Sequence, residues 1–193
     1  MLKRGFDILV SLADLIVFAV PMGIIAILIR RGSPGGAIFR QRRIGLDGNP
    51  FIMLKFRTMR IGADPYAKSP QSGQDPRLTR IGRFLRETSL DELPQLLNVL
   101  SGDMSIVGPR PLYEKQAERW NERQRRRLEV RPGLTGYAQA YGRGNMTHEQ
   151  KLEIDVFYVE NADFRLDMKI ILRTFLQVFR RRDEVYEREG HNG

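Results

Sequence analysis

Two adjacent acidic residues, Asp91 and Glu92, are the side chains in this sequence best suited to chemistry. Pro94 follows them, and proline fits best in the first turn of a helix, so we expect both acids at a helix N-terminus. A helix N-terminus attracts phosphate and keeps a nearby carboxylate ionised. An ionised Asp91 could therefore attack phosphorus or hold a divalent metal, and Glu92 beside it could move a proton.

The same acids also fit a purely structural interpretation. Ser89 stands three residues before Glu92, and this spacing predicts a capping box in which each side chain bonds a backbone N–H group near the other. Asp91 would then only complement the positive end of the helix dipole. This short segment leaves both interpretations open, so the residues expected around the acids must decide.

Arginines recur in turn-rich segments of the chain. Guanidinium groups make bidentate contacts with phosphate oxygens, and rigid or glycine-rich loops can bring them close to a ligand. Arg110 lies between two prolines, and Arg143 lies between two glycines. Together with the acids, these positions predict a diphosphate site. The arginines concerned are Arg57, Arg86, Arg110, Arg131 and Arg143.

Composition removes several other kinds of site. The sequence has no cysteine and only two histidines, which excludes a cysteine nucleophile and thiolate zinc sites and disfavours a Ser-His-Asp triad. It contains neither a G-x-x-x-x-G-K-[ST] loop nor a G-x-G-x-x-G motif after a strand. A metal would be held by carboxylate oxygens, which favours magnesium, manganese or calcium.

The net charge of +9 indicates an anionic partner, whether nucleic acid, an anionic membrane surface or a phosphorylated substrate. A non-catalytic, basic, membrane-associated protein that binds anionic lipid or nucleic acid is therefore an alternative. It would not explain why two acids stand among loop arginines. The few aromatic residues are also not interleaved with the basic runs, as single-strand binding requires.

The N-terminal segment is apolar from Phe6 to Ile29, a run of 24 residues, with basic pairs at both ends. About 20 residues suffice to cross a bilayer. Basic residues prefer the cytoplasmic side, however, and Pro21 should kink a helix near its middle. The segment therefore fits either a single span or a broken helix that dips into one leaflet and returns.

Turn signals divide the remainder into short elements. Residues 37–44 and 51–57 read as a β-hairpin with Asp47 and Gly48 at its tip. Residues 62–78, 102–104, 108–111 and 131–136 read as loops, the first of them a mobile surface loop. Helices are predicted from Arg80, over residues 90–100 and 113–128, with Trp120 facing inward, and from Thr147, where Gln150 completes a capping box.

The last predicted helix has the clearest amphipathic pattern. Its apolar residues follow the spacing of one helix face, and Arg180 begins a basic end. Such a helix could lie on an anionic membrane surface or pack against the core. The apolar residues are Met168, Ile171, Leu172, Phe175, Leu176 and Phe179.

Motifs in this order resemble the monotopic phosphoglycosyl transferases, the bacterial sugar transferase family that starts glycan assembly on undecaprenyl phosphate. The likeness extends over nearly the whole chain, and the ordered set is specific although each motif alone is weak. The motifs are Lys3-Arg4…Asp7, Ser33-Pro34-Gly35, Phe39-Arg40-Gln41-x-Arg43-x-Gly45, Lys55-Phe56-Arg57-Thr58-Met59, Ser89-Leu90-Asp91-Glu92-Leu93-Pro94-Gln95-Leu96, Gly102-Asp103-Met104-Ser105-x-x-Gly108-Pro109-Arg110-Pro111, Arg131-Pro132-Gly133-x-Thr135-Gly136, Asp155…Tyr158 and Leu166-Asp167.

The resemblance implies a reaction and roles for individual residues. Asp91 would attack the β-phosphate of a UDP-sugar, form a phosphosugar–aspartyl intermediate and release UMP, and polyprenol phosphate would then attack the intermediate. Glu92 would handle the proton, and Mg²⁺, held partly by Asp91, would neutralise the diphosphate. The implied substrate-binding residues are Arg86, Arg110, Arg143, Lys55, Arg57 and Arg131.

The resemblance also implies an architecture: mainly α with a small β-hairpin (α+β), a re-entrant N-terminal membrane helix and interfacial amphipathic helices. The family's helix breaks at a Ser-Pro pair, which is Val20-Pro21 here. Residues 1–31 would form the anchor, residues 32–182 the catalytic domain and residues 183–193 a polar tail. The protein would occupy one leaflet of the bacterial inner membrane at its cytoplasmic face, without a nucleic-acid partner.

Overall fold

A long helix, α1 (Leu2–Gly32), begins the structure, a computed structural model that describes residues 2–64, 67, 70, 72–142 and 146–180. The helix runs without interruption through Pro21. Of the helices in these described ranges, α1 alone is long and apolar enough to cross a membrane. Its outward side chains are strongly exposed, with Leu9, Ile16 and Val20 at 70%, 69% and 72%.

The N-terminal half of α1 is fastened to the domain by polar contacts. Asp7 is 3% exposed, and its Oδ1 accepts hydrogen bonds from the Ser105 hydroxyl at 3.1 Å and the Ile106 backbone N–H at 3.0 Å. Arg4 donates to the carbonyls of Val99 and Leu100, near the end of a later helix, at 2.6 and 2.9 Å. This half of α1 therefore has a fixed position relative to the domain.

The C-terminal half of α1 packs on the same domain through apolar side chains. Ile25 and Ile29 are buried in a cluster with Phe56 and Leu85. Met22 packs on this same cluster. Leu15, further upstream, packs on a separate core cluster that includes Leu96 and Val99. Only residues 16–21 separate these two contacts, which is about 9 Å of helix. One face of α1 thus follows the domain surface along most of its length.

The predicted hairpin is confirmed. Strands β1 (Ile38–Ile44) and β2 (Pro50–Phe56) pair antiparallel, with Ile38 opposite Phe56 and Ile44 opposite Pro50. A 3-10 turn at Leu46–Gly48 joins the strands, and Asp47 has a left-handed φ of 54°. A turn with positive φ is what the Asp-Gly pair predicts.

Two short helices follow. Helix α2 (Arg80–Glu87) is capped by Thr79, whose hydroxyl accepts from the Gly82 backbone N–H at 2.9 Å. The predicted helix over residues 90–100 is divided into a 3-10 turn at Leu90–Glu92 and α3 (Gln95–Ser101). Pro94 sits immediately before α3, in agreement with the expectation that it opens a helix.

A second sheet replaces part of a predicted loop. Strands β3 (Ser105–Val107) and β4 (Gly133–Thr135) pair in parallel, so the interpretation of residues 131–136 as a loop is wrong. The backbones approach so closely that a Cβ on Gly133 would lie 2.1 Å from the Gly108 nitrogen. The glycines that suggested a turn are required instead by this close packing of two backbones.

The predicted charged helix over residues 113–128 is also wrong. The structure contains α4 (Glu114–Ala117), α5 (Glu122–Arg125) and a 3-10 turn at Arg126–Glu129. Asn121 begins a new helix because its side chain accepts from the Gln124 backbone N–H at 2.8 Å. Trp120 just before this break is 5% exposed, so its inward orientation is confirmed.

Three helices complete the described chain: α6 (Tyr137–Tyr141), α7 (His148–Glu160) and α8 (Phe164–Arg180). The capping box of Thr147 and Gln150 is present at the start of α7. Helix α8 buries Ile170 and leaves much of its predicted apolar stripe outside the core. Leu172, Phe175 and Leu176 are 61%, 61% and 50% exposed.

The buried core joins the hairpin, α3, the second sheet and α6 to α8, with one face of α1 against it. The architecture is mainly helical with two small sheets and an apolar N-terminal helix, which confirms the predicted α+β class. The core residues are Met53, Leu96, Val99, Met104, Ile106, Val107, Ala140, Tyr158 and Ile170.

Candidate active site

The two acids lie in the 3-10 turn Leu90–Glu92, which the chain enters through a strained residue. Ser89 has φ 57° and ψ 14°, a left-handed conformation that costs a non-glycine residue about 1 kcal/mol or more. Asp91 is 7% exposed. Among the described residues, no backbone N–H is capped by the Ser89 side chain, so the capping-box interpretation is wrong.

The carboxylate of Glu92 contacts two cations. Its Oε1 accepts from Lys55 Nζ at 2.7 Å and from an Arg110 terminal nitrogen at 3.2 Å. Burial raises the pKa of Glu92, but Lys55 and Arg110 more than offset this and lower it to about 2. Glu92 is therefore ionised at neutral pH, and its geometry favours holding cations over donating a proton.

Lys55 lies close to Glu92 because a side chain of α3 is hydrogen-bonded to strand β2, which carries Lys55. Asn98 is 4% exposed, and its Oδ1 accepts from the Leu54 backbone N–H at 2.9 Å. Its Nδ2 donates to the Ile52 carbonyl at 2.8 Å. The sequence-based prediction missed Asn98, although an asparagine within an apolar helix is a signal for a buried polar contact.

Arg110 reaches the acids from a segment whose backbone is tightly packed. Residues 109–111 follow β3, and the Pro109 carbonyl accepts from the Gly133 backbone N–H at 2.9 Å. A Cβ on Gly108 would lie 2.3 Å from the Arg131 carbonyl oxygen. The second sheet thus fixes the course of the chain immediately before Arg110.

Arg86 lies in the last turn of α2, the helix that precedes the acid turn. Its Nε donates to the Thr58 hydroxyl at 3.0 Å, and the side chain is half-buried. The acids therefore lie where β2, α2, the 3-10 turn and the 109–111 segment meet. A buried carboxylate, an ionised carboxylate and cations from separate elements can hold a diphosphate and attack it.

Comparison with known proteins agrees with a site of this kind. Residues 1–181 match the family described as bacterial sugar transferase. The chain belongs to this family. An uncharacterized sugar transferase, EpsL of Bacillus subtilis, is 45% identical over 180 residues, covering 92% of this chain and 87% of its own.

Two relatives carry more specific names. A UDP-glucose:undecaprenyl-phosphate glucose-1-phosphate transferase of Caulobacter vibrioides is 44% identical, covering 89% of this chain and 67% of its own. A protein of the same name from Escherichia coli is 40% identical over 93% of this chain, but the match covers 40% of its own length. These names agree that the chain is a transferase. It corresponds to less than half the length of the E. coli relative.

Not every predicted phosphate-binding residue of this sugar transferase lies beside the acids. Arg57 donates to the carbonyls of Ser33, at 2.9 Å, and Pro34, and so holds the turn after α1. Arg131 donates to the Gly102 carbonyl at 2.8 Å, at the end of α3 opposite the acids. Arg143 lies outside the described residues. The substrate-binding roles of these arginines stay predictions.

The acids fit a magnesium ion that is shared with substrate. In the described ranges, no group of three or more His, Cys, Asp or Glu side chains could form an all-protein cage. Mg²⁺ usually takes one or two carboxylates and completes its shell with phosphate and water. A buried carboxylate such as Asp91, with the ionised Glu92 next to it, fits an ion of this kind.

Proposed function

We propose that this sugar transferase moves a sugar-1-phosphate from a UDP-sugar to polyprenol phosphate through a covalent intermediate on Asp91, with release of UMP. The observation that carries the proposal is the pairing of a buried Asp91 with Glu92, whose carboxylate gathers Lys55 and Arg110. The names of the Caulobacter and E. coli relatives, both glucose-1-phosphate transferases onto undecaprenyl phosphate, support the same class of reaction.

In the first step, a carboxylate oxygen of Asp91 attacks the β-phosphorus, to which the sugar is attached. A bond forms between this oxygen and phosphorus, and the bond between phosphorus and the oxygen that bridges the two phosphates breaks. UMP leaves with the bridging oxygen. Asp91 then carries the sugar phosphate as an acyl phosphate, which is an activated phosphoryl donor.

In the second step, a phosphate oxygen of polyprenol phosphate attacks the same phosphorus. The bond between phosphorus and Asp91 breaks, and the free carboxylate is restored. The product is a polyprenol diphosphosugar, and the step would be the first membrane step of glycan assembly. Because donor and acceptor use the site in turn, ping-pong kinetics are expected.

The cations around Glu92 would stabilise charge in both steps. Lys55 and Arg110 lie at 2.7 and 3.2 Å from Glu92 Oε1, and a bound diphosphate would share them. Preorganised cations of this kind act where negative charge develops on phosphoryl oxygens. Arg86, in the last turn of α2, would contact the same phosphates. Mg²⁺, held by Asp91 and the diphosphate, would supply further neutralisation of charge.

The packing of α1 supports membrane attachment from one side. A helix that crosses a bilayer alone must be free of its domain over about 20 residues. In α1 the contacts at Leu15 and Met22 are separated by residues 16–21 alone. A domain that follows α1 this closely would enter the hydrocarbon core if the helix crossed it. We propose that α1 enters one leaflet with its exposed apolar face.

The charges at the ends of α1 support the cytoplasmic face of the bacterial inner membrane. Lys3 and Arg4 stand at its start, and Arg30 and Arg31 stand in its last turn. Basic residues prefer the cytoplasmic side, and here they lie at both ends. The exposed stripe of α8, which includes Leu172 and Phe175, would rest on the same surface.

One experiment separates this proposal from a non-catalytic protein that binds anionic lipid or nucleic acid. The purified chain is mixed with magnesium, polyprenol phosphate and a panel of UDP-sugars, and UMP is measured. UMP should appear with at least one sugar. A folded protein that releases UMP from none of them would favour the binding protein.

A second measurement tests the covalent step. Without acceptor, intact-protein mass spectrometry should detect a sugar-phosphate adduct on the natural chain and none on Asp91→Asn. Asp47→Asn at the hairpin tip is the matched control and should keep the adduct, because asparagine also tolerates the left-handed φ of 54°. Turnover by Asp91→Asn at the natural rate would overturn the assignment of the nucleophile.

A further inference from the structure

Arg127 is buried beneath the proposed phosphate site. It lies in the 3-10 turn Arg126–Glu129 and is 3% exposed. One terminal nitrogen donates to Asp155 Oδ2 at 2.6 Å and to the Arg110 carbonyl at 2.8 Å. The guanidinium carbon also lies 4.9 Å from the ring centre of Trp120. Arg127 therefore joins α7, through Asp155, to the backbone of Arg110.

This ion pair is a poor source of stability. Within the described residues, Arg127 Nε and Asp155 Oδ1 are buried and have no hydrogen-bond partner. Burial raises the pKa of Asp155, although Arg127 opposes the shift. Buried pairs often stabilise a fold no more than apolar residues of similar volume. What distinguishes the pair is the geometry that it imposes on Arg110.

The backbone around Arg110 makes this geometry effective. Arg110 stands between Pro109 and Pro111, which have no N–H group to donate, and a residue before proline is restricted to extended conformations. The bond from Arg127 orients the carbonyl of the peptide between Arg110 and Pro111. At the other end of the same residue, the Arg110 guanidinium lies 3.2 Å from Glu92 Oε1.

We propose that Arg127, held by Asp155, is a positioning residue that sets the Arg110 guanidinium for the substrate diphosphate. The inference rests on the proposed function, in which the diphosphate shares Arg110 with Glu92. Arg127 contacts Asp155 and the Arg110 carbonyl, so it would act on the diphosphate through Arg110.

The decisive variant replaces the whole pair, Arg127→Met with Asp155→Leu. It removes the donor to Arg110 and leaves no unpaired charge in the core, so it should fold. Thermal unfolding of the full chain checks this. The matched control is Arg126→Met, because Arg126 neighbours Arg127 but makes exposed ion pairs with Glu129 and Glu160.

Steady-state kinetics with UDP-sugar and calorimetric binding of UDP supply the readouts. In the double variant, KM for UDP-sugar and Kd for UDP should rise about tenfold or more, because a small misplacement of a positioning group weakens its contact strongly. Arg126→Met should stay within about twofold of the natural chain. A role in stability alone would leave KM and Kd unchanged in the folded variant.

A double-mutant cycle tests whether Arg127 acts through Arg110. In an Arg110→Met background, replacing the pair should add nothing to KM or Kd, since the group that it positions is gone. The same penalty in both backgrounds would overturn the proposal. Natural KM and Kd in the folded double variant would overturn it as well.

Two further outcomes have defined meanings. If the double variant unfolds, Arg127→Lys decides, because lysine keeps the charge but not the planar fork. A folded Arg127→Lys protein with raised KM supports the proposal, and a natural KM refutes it. If the natural chain neither releases UMP nor binds UDP, the proposed function fails and this inference with it. Normal turnover by the natural chain and the variants alike refutes only the positioning role.

Discussion

Asn98 Oδ1 accepts a hydrogen bond from the backbone N–H of Leu54 at 2.9 Å, and this contact joins α3 to the strand residue immediately before Lys55. The Asn98 amide also donates to the Ile52 carbonyl, so one side chain satisfies two backbone groups of β2. Lys55 is thereby held 2.7 Å from Glu92 on the segment that leads into α3. The side chain that fixes the hairpin also fixes the distance between a cation and the acids.

Asn98→Leu should destabilise the protein and weaken catalysis together. Leucine has a similar size but leaves the Leu54 N–H and the Ile52 carbonyl unpaired in a partly buried position. The expected loss is about 2 to 4 kcal/mol in the free energy of unfolding, measured with denaturant. Asn49→Ala is the control, because Asn49 makes an exposed bond at the hairpin tip. Equal losses in the two variants would contradict the role of Asn98.

Lys55→Met should lower the rate of UMP release without unfolding the protein. The Lys55 side chain is 15% exposed and forms an ion pair with Glu92, so its loss removes one of the cations of the proposed phosphate site. Losing one such group costs about 10²-fold in turnover. The matched control is Arg42→Met. Arg42 lies on the same hairpin and forms an exposed ion pair with Glu114 of α4.

Lys55→Arg tests whether charge is what matters at this position. Arginine keeps the positive charge but has a wider head group, so activity should lie between that of the natural chain and that of Lys55→Met. A Lys55→Met protein with undiminished UMP release would show that the cation next to Glu92 takes no part in the reaction.

Some structural features of the protein can be predicted from the local sequence, and others cannot. The hairpin and the α7 capping box were predicted correctly because Asp47-Gly48 and Thr147 with Gln150 act within a few residues. The break at Asn121 was missed, although its cap is equally local, because the surrounding charged residues also suit a continuous helix.

The contacts that assemble the site join residues distant in the chain. Asn98 bonds Leu54, 44 positions away, and Arg127 bonds Asp155, 28 positions away. Neither spacing nor composition predicts that Asn98 would bond Leu54 or that Arg127 would bond Asp155. Two loop arginines that are predicted to bind phosphate, Arg57 and Arg131, donate to backbone carbonyls in the structure, a contact that residue type alone does not predict. The sequence predicts Asp91 and Glu92 as site residues, and the structure shows which cations contact Glu92.

The charge of Glu92 should make stability depend on pH in the acid range. Its pKa of about 2 in the folded protein lies below the ordinary value of 4.5, so the folded state binds this proton less readily than the unfolded state. The ionised contact therefore stabilises the fold above pH 4.5, and its contribution is lost as the pH falls toward 2.

The measurement compares unfolding of the natural chain and Glu92→Gln across pH, without magnesium or nucleotide. The difference in unfolding free energy should be constant above about pH 5 and shrink toward pH 2. Glu118→Gln, at an exposed position, is the control and should show a small difference throughout. A difference between natural chain and Glu92→Gln that does not change with pH would contradict the lowered pKa.

The course of α1 through the membrane can be tested by cysteine labelling, because the natural sequence has no cysteine and single variants need no background changes. Leu2→Cys and Gly32→Cys mark the two ends of the helix, and both positions are exposed. Both should react with a membrane-impermeant maleimide in inverted inner-membrane vesicles and stay unlabelled in intact spheroplasts. Val20 is 72% exposed on the protein surface, but lipid would cover it in the membrane. Val20→Cys should therefore resist the reagent in both preparations. Labelling of the two ends from opposite sides would instead establish a single span and refute one-leaflet attachment.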